Sequence, residues 1–374
     1  MVALKPVLSE PVQAFDFSQR PLVVVWEMTQ ACDLVCKHCR ASAQPLPHPD
    51  ELSTAEGRAL IDQVAQMGAG VLVLSGGDPM KRPDVFDLVR YGSDRGVRMA
   101  MTPSVTPLLT DDAIRRLAAG GLSQFAVSLD GSCPAIHDDF RGVAGAFDRT
   151  LEVIRVARAA GLPIQINTTV SRHNFADLPA MAELLAGLDI VLWSVFFLVP
   201  VGRGQADQRI RPEEYEQVFE LLWSLRQRVP FHVKSTEAPH YRRFVLRKLK
   251  EAGARRGEGR PADAIEAARS PGYSSMNVND GRGFVFISHT GEVYPSGFLA
   301  LSVGNVRREG LADLYRNAPL MRDLRNSDLL GGKCGQCEFR NACGGSRARS
   351  WALTGDPLAP EPDCTYQPAR SSRS

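Results

Sequence analysis

The chain has no long hydrophobic run, no excess of one charge, no repeat at solenoid spacing and too few cysteines for a disulfide scaffold. Each absence excludes a class of protein. The longest strongly apolar stretch, residues 190–201, is broken by Ser194 and Pro200, whereas a helix crossing a bilayer needs roughly 20 apolar residues. No membrane span is expected. Lys and Arg number 44 against 42 Asp and Glu, a formal charge of +2, so bulk electrostatics give no reason to expect nucleic acid or a membrane surface as partner. The opening MVALKPVLSEPVQ has two early prolines and no continuous apolar segment of the signal-peptide kind. A cytoplasmic location is expected. With 374 residues, 44% of them hydrophobic, the chain can bury a sizeable core as about two domains, or as one barrel with an extension.

What is present is a grouped set of eight cysteines, which a cytosol would keep reduced, so metal binding or catalysis is the better reading. Cys32, Cys36 and Cys39 form CxxxCxxC in ACDLVCKHCRA; Cys334, Cys337, Cys343 and Cys364 gather near the other end. Cys133 stands alone and reads as a small buried hydrophobe. A closed structural zinc takes four ligands, and a [4Fe-4S] cube has four irons to ligate. Three cysteines on one loop leave one iron open to chelate a small molecule. The alternative is a zinc knuckle completed by a distant ligand such as His48. The second group, CxxCxxxxxC with a cysteine 21 residues further on, supplies four ligands, enough for a closed [4Fe-4S] cluster or a zinc. It has one CxxC knuckle where zinc ribbons use two, which favours iron and sulfur.

Between the groups, apolar β-branched runs alternate with capped periodic segments. Strands are expected at 22–26, 71–74, 97–102, 124–129, 163–170 and 191–199, and helices at 53–67, 82–95, 110–119, 147–160 and 178–188. Such alternation predicts an α/β fold with a parallel sheet, and six strands suit a partial (β/α)6 TIM-like barrel better than a closed eight-stranded one. Chemistry then belongs at the carboxyl ends of the strands. The unusual loops all fall there. SGGDP carries Gly76 and Gly77, which let backbone approach a ligand. VSLDG carries Ser128 and Asp130, a carboxylate suited to ribose hydroxyls, and Arg141 follows as a fork for a carboxylate. Asn167 ends strand five, and Leu198 and Val199 lead into VPVGRG. Beyond residue 205 a helix is expected at 212–227, the charged stretch 243–269 reads as a solvated connector, and 283–287 with 291–294 reads as a hairpin. The expected units are an extension at 1–20, the barrel at 21–205, a connector at 206–280 and a carboxyl-terminal module at 281–374.

The CxxxCxxC loop resembles that of the radical S-adenosylmethionine (SAM) superfamily, in which the open iron binds the amino and carboxylate groups of SAM. His38 occupies a position where that family usually has an aromatic residue. SGGDP resembles the family's GGE motif, which holds the SAM amino group, with Asp78 in place of Glu. The resemblance further implies that Ser128 and Arg141 bind the SAM carboxylate, Asp130 the ribose, and Leu198 and Val199 the adenine. Residues 281–374 resemble the SPASM module, whose full form carries two auxiliary clusters. Here two of its cysteine positions hold Ser296 and Arg347, so one SAM-binding and one auxiliary [4Fe-4S] cluster are implied, on seven cysteines.

CKHCRASA, VPVGRG, SHTGEVYPSGF, CGGSRARS and TGDPLA most resemble enzymes of alternative haem and related tetrapyrrole biosynthesis, which modify propionate side chains oxidatively. That implies reductive cleavage of SAM to a 5′-deoxyadenosyl radical, hydrogen abstraction from the substrate, and an electron donor such as flavodoxin or ferredoxin. A propionate needs cations, and KSTEAPHYRR offers Lys234, His240, Arg242 and Arg243; its alternative is a solvated basic helix end. The rival readings are a peptide maturase within the same superfamily and, outside it, a zinc-binding scaffold or iron-sulfur electron carrier.

Overall fold

The apolar runs become strands because each is flanked by a helix that covers one of its faces. The computed structural model describes residues 16–226, 228–256 and 278–368. Strands β1 (Val23–Glu27), β2 (Val71–Ser75), β3 (Met99–Met101), β4 (Gln124–Ser128), β5 (Ile164–Val170) and β6 (Leu192–Phe197) pair side by side in chain order, all parallel. Helices α1 (Thr54–Gln66), α2 (Val85–Asp94), α3 (Asp111–Ala119), α4 (Pro134–Arg141), α5 (Ala146–Ala159) and α6 (Leu178–Ala186) lie between them in sequence. Helix α1 starts at the expected capping box: Ser53 Oγ accepts from Glu56 N (3.3 Å), and Glu56 Oε2 accepts from Ser53 N (2.8 Å).

The alternation along β5 shows how the sheet divides its faces. Ile164, Ile166, Thr168 and Val170 are buried, while Gln165, Asn167 and Thr169 point the other way and stay partly accessible. Apolar side chains therefore pack against helices, and polar ones line the concave interior.

Two strands extend the expected six. β7 (His232–Thr236) adds parallel to β6, and β8 (Phe284–Ile287) adds parallel to β1, with Val23 opposite Phe284 and Trp26 opposite Ile287. The antiparallel β9 (Glu292–Tyr294) and β10 (Gly304–Asn305) continue from β8, giving the order β10-β9-β8-β1-β2-β3-β4-β5-β6-β7. The barrel stays open between β7 and the hairpin. One sheet thus crosses the boundary expected at 281. α4 is not among the expected helices; it is opened by Pro134 and closed by the left-handed Gly142. Of the stretch read as a solvated connector, residues up to 256 belong to helix His240–Arg256, and 257–277 lie outside the described residues, as do 1–15.

The join between β8 and the amino-terminal segment runs through one side chain. Tyr315, fully buried, donates its hydroxyl proton to Phe17 O (2.6 Å) and accepts from Gly283 N (2.9 Å). Tyr315→Phe strips the buried Gly283 N–H of its acceptor and should cost about 1–3 kcal/mol. A lowered midpoint in thermal unfolding, with little change in far-UV circular dichroism at 25 °C, is the expected result.

Candidate cofactor site

The loop after β1 carries Cys32 and Cys36 buried and Cys39 half-buried. It has no regular structure of its own, so its shape comes from what it touches. Cys32 N donates to Gln44 O (2.8 Å), folding the loop back on itself. The sulfurs meet donors. Leu34 N and Ser104 Oγ each lie 3.4 Å from Cys32 Sγ, and Arg141 Nη1 donates to Cys36 Sγ at 3.6 Å. Burial pushes the Cys32 thiol up while those two contacts pull it down; a metal that displaces the proton would relieve the opposition.

Two neighbouring loops hold the cysteine loop by direct backbone contact. Gly77 N donates to Thr29 O (2.8 Å) and Asp78 N to Ala31 O (2.7 Å); a Cβ at Gly77 would stand 2.4 Å from Ala31 O. On the other side Arg203 N donates to Cys39 O (2.9 Å) and Arg203 Nε to Cys36 O (2.9 Å). Gly202 has φ +61°, and a Cβ there would come within 2.2 Å of Arg40 O. The SGGDP glycines serve backbone-to-backbone packing as well as a ligand surface.

Cys32, Cys36 and Cys39 border one cavity of about 220 Å³ together with Gly76, Gly77, Ser128, Arg141, Asn167, Leu198 and Val199. Of the residues implicated from sequence, Asp78 and Asp130 stand behind that wall. Asp78 is buried, accepts from Met80 N, Ser104 N and Thr106 Oγ1, and so braces the loop after β3. Asp130 pairs with Arg141 and accepts from Thr169 N (2.7 Å). Burial pushes its carboxyl up, but the Arg141 guanidinium outweighs this and keeps it below its usual value. Its structural part is to aim Arg141; its oxygens are engaged within the fold. His38 stacks on Phe140 at 4.1 Å, and Phe140 on His173 at 4.9 Å. Burial lowers the His38 pKa to about 3, so it is neutral at ordinary pH and packs as the aromatic ring it replaces. Ser104 escaped sequence reading because nothing near it marks a site.

The second group, Cys334, Cys337, Cys343 and Cys364, borders a separate cavity. Each sulfur has a backbone donor. Glu361 N reaches Cys334 Sγ at 3.3 Å, and Phe339, Gly345 and Tyr366 N–H groups serve Cys337, Cys343 and Cys364. Burial pushes the Cys343 thiol up to about 12. The segment bearing Cys364 is pinned through Asp363, which accepts from Tyr215 Oη (2.9 Å) and pairs with Arg209 (2.5 Å) and Arg349 (3.2 Å). Among the described residues, no three His, Cys, Asp or Glu side chains converge on a single metal-ion position.

The two positions that depart from the full SPASM pattern come together in space. Ser296 lies against the carboxyl of Asp280, whose Oδ2 accepts from Arg347 N (3.1 Å). The Arg347 side chain is buried and donates to Pro357 O (2.9 Å) and Ala359 O (2.7 Å). A charged, hydrogen-bonded network fills that region.

The four candidate substrate cations separate. Lys234 is opposite Ser194 in the β6/β7 register, and Ser194 is opposite Asn167, so all three share the concave face. Lys234 itself is exposed. His240 and Arg243 instead border the second cysteine cavity, and Arg242 donates to Val278 O (2.5 Å) and Ala342 O (3.4 Å).

A third cavity, about 710 Å³, shares Arg40 and Phe298 with the first. Glu27 at the end of β1 accepts from Arg40 Nη2 (2.5 Å) and from His289 Nδ1 (3.0 Å) at its edge. Burial raises the Glu27 carboxyl, but Arg40 and His289 hold it below its usual value. Sequence reading missed this set because its members lie 13 and 262 residues apart.

The model of the radical SAM superfamily matches residues 26–185. The chain is 40% identical to the AdoMet-dependent heme synthase of Methanosarcina barkeri, over 94% of this chain and 98% of that one. It is 31% identical to Fe-coproporphyrin III synthase of the same organism, over 94% of this chain and 89% of that one. Among solved structures, Streptococcus suis SuiB bound to S-adenosylmethionine superposes with a TM-score of 0.71 at 15% identity, covering 93% of this chain and 78% of that one, a likeness of fold.

Asp130→Asn should leave the buried Arg141 without its charge partner, at a cost of about 3–5 kcal/mol. Isothermal titration with SAM is expected to show weaker binding than for the parent protein. Unchanged affinity would mean that Arg141 does not need Asp130 to be aimed. Gly202→Ala tests the loop contact: about 1–3 kcal/mol of stability and part of the first cluster's iron should be lost.

Proposed function

The chain belongs to the radical SAM superfamily, and on that premise we propose that it is a haem-forming enzyme acting on the propionate side chains of an iron porphyrin. As an enzyme of this superfamily it uses a [4Fe-4S] cluster and SAM. When bound, these supply a 5′-deoxyadenosyl radical by reductive cleavage of SAM, and an auxiliary cluster supplies a sink for the electron left after hydrogen loss.

The chain's own residues then have separable tasks. Cys32, Cys36 and Cys39 hold the first cluster; their cavity and the donors on Cys32 and Cys36 suit thiolate ligands. Arg141, Ser128 and Asn167 offer charge and hydrogen bonds to the SAM carboxylate and amino group, beside the backbone of Gly76 and Gly77. Leu198 and Val199 provide apolar wall against the adenine. Cys334, Cys337, Cys343 and Cys364 hold the auxiliary cluster, each sulfur already served by a backbone N–H. Lys234, on the concave face, pairs with a substrate carboxylate. Asp78 and Asp130 position other groups.

What carries the reading is the near full-length match to a heme synthase. A cavity of about 710 Å³ beside the cofactor cavity supports it, since that volume lies within the roughly 300–1,000 Å³ of small-molecule sites. A low-potential cytoplasmic carrier such as flavodoxin or ferredoxin completes the scheme as electron donor.

Anaerobic reconstitution followed by iron and sulfide analysis should give about eight irons per chain. Cys36→Ala should retain about four of them and form no 5′-deoxyadenosine with dithionite and SAM. Incubated with Fe-coproporphyrin III, the parent protein should yield haem by mass spectrometry. Bound zinc with intact SAM would overturn the whole reading; SAM cleavage with untouched porphyrin would overturn the substrate alone.

A further inference from the structure

The larger cavity is bordered by the aromatic side chains Phe286, Tyr294, Phe298 and Trp351 among other residues, and by one imidazole, that of His289. The residue is only 8% exposed. Its Nδ1 is committed: the Glu27 carboxylate can only accept, so Nδ1–H donates to Glu27 Oε2 at 3.0 Å. Glu27 cannot turn away, because its other oxygen is held by Arg40 Nη2 at 2.5 Å. Arg40 in turn donates to Gly297 O (3.2 Å) and lies over the Phe286 ring at 4.6 Å. The backbone is fixed as well, with Leu52 N donating to His289 O at 2.8 Å. Among the described residues no group hydrogen-bonds Nε2, and His289 borders the cavity.

A buried imidazole at a cavity wall, with one nitrogen tied to a braced carboxylate and the other without a hydrogen bond from the described residues, matches the arrangement of a metal-ligating histidine. Such a ligand donates its second N–H to a carboxylate, which fixes the tautomer and makes the ligating nitrogen more basic. Imidazole suits iron. We infer that His289 Nε2 is an axial ligand to the central iron of the porphyrin substrate, with Glu27 and Arg40 as positioning residues behind it. This rests on the tetrapyrrole reading above. The bond is a coordinate one: the Nε2 lone pair enters an axial position, any water there leaves, and no electron or proton moves.

The placement has a consequence for the reaction. Arg40 and Phe298 belong to the walls of both cavities, so an iron anchored at His289 fixes how far the porphyrin's side chains reach toward the cofactor. The competing reading is that Glu27 and His289 merely staple the β8–β9 turn to β1, which predicts no contact with iron.

The test uses the reconstituted enzyme, ferric coproporphyrin III and its metal-free form. Bound to the parent protein, the ferric compound should show a shifted Soret band. With ¹⁵N-histidine in the protein, pulsed EPR should show hyperfine coupling from one imidazole nitrogen. His289→Ala should lose that coupling and bind the ferric form about 10–100-fold more weakly, bind the metal-free form unchanged, and recover the parent spectrum with free imidazole. His48→Ala, whose ring lies 5.5 Å from that of His289 outside the cavity, should behave as the parent. Glu27→Gln should keep the nitrogen coupling but shift its magnitude. No histidine nitrogen coupling in the parent protein, or an unchanged spectrum in His289→Ala, would overturn the ligand assignment. Failure of both porphyrins to bind the parent protein would instead overturn the tetrapyrrole reading.

Discussion

The site depends on backbone packing at the carboxyl ends of three parallel strands. Beside the bonds the cysteine loop makes within itself, such as Cys32 N to Gln44 O, its carbonyls at Thr29, Ala31, Cys36 and Cys39 accept from the loops after β2 and β6. Only glycine permits those approaches, because a Cβ at Gly77 or Gly202 would fall inside the contact distance of a backbone oxygen. Each hydrogen bond contributes only about 1 kcal/mol net. Their joint effect is geometric: three thiols that belong to an irregular segment are fixed relative to Ser128 on β4, Asn167 on β5 and Arg141 at the end of α4. A cofactor that must be reached by several ligands at once needs this more than it needs extra stability.

Charge is handled in the same way at both cysteine centres. Asp130 and Arg141 are buried against each other beside Cys36, and Arg349 is buried with Glu361 and Asp363 beside the strap that carries Cys364. Such pairs roughly break even against apolar side chains in stability, because desolvation offsets their attraction. What they supply is direction. Arg141 can present positive charge to the first cavity only because Asp130, with its second oxygen on Thr169 N, cannot rotate. At the second cavity Arg243 and Lys333 lower the charge cost of a Cys364 thiolate. Four thiolates on a cluster carry net negative charge, and cations at the wall offset it.

Sequence alone reached the features whose signals are local. CxxxCxxC, the Ser53/Glu56 capping box and six apolar runs each sit within a few residues of their own evidence, and the alternation of strand and helix follows from them. β7 was invisible because HVKST buries a single apolar side chain, Val233, and depends on pairing with β6 for its existence. The destination of β8 was invisible for a related reason: its partner, β1, lies some 260 residues earlier. Asp78 and Asp130 read as ligand contacts because a carboxylate at a strand end has the right chemistry; tertiary structure adds that their oxygens also accept from Met80, Ser104, Thr106 and Thr169 and that Asp130 pairs with Arg141. Ser296 and Arg347 read as two separate departures from a pattern; Asp280 makes them one network.

Arg40 joins the two cavities. It directly follows Cys39, so it moves with the cysteine loop; its guanidinium bonds Glu27 and Gly297, and the residue borders both cavities. The contact therefore couples the cysteine loop to the turn that carries His289, through two charge-assisted bonds and one ring face. A flexible connection between cofactor and substrate sites would let a highly reactive radical meet the wrong bond, and an error of about 1 Å in placement is enough to cost orders of magnitude in rate. Linking both sites through Cys39 and Arg40, consecutive residues of one loop, keeps that error small. It also explains why Glu27, a charged side chain, is held at the end of a strand whose other inward neighbours are apolar: the carboxylate is the joint at which the two cavities are set in register.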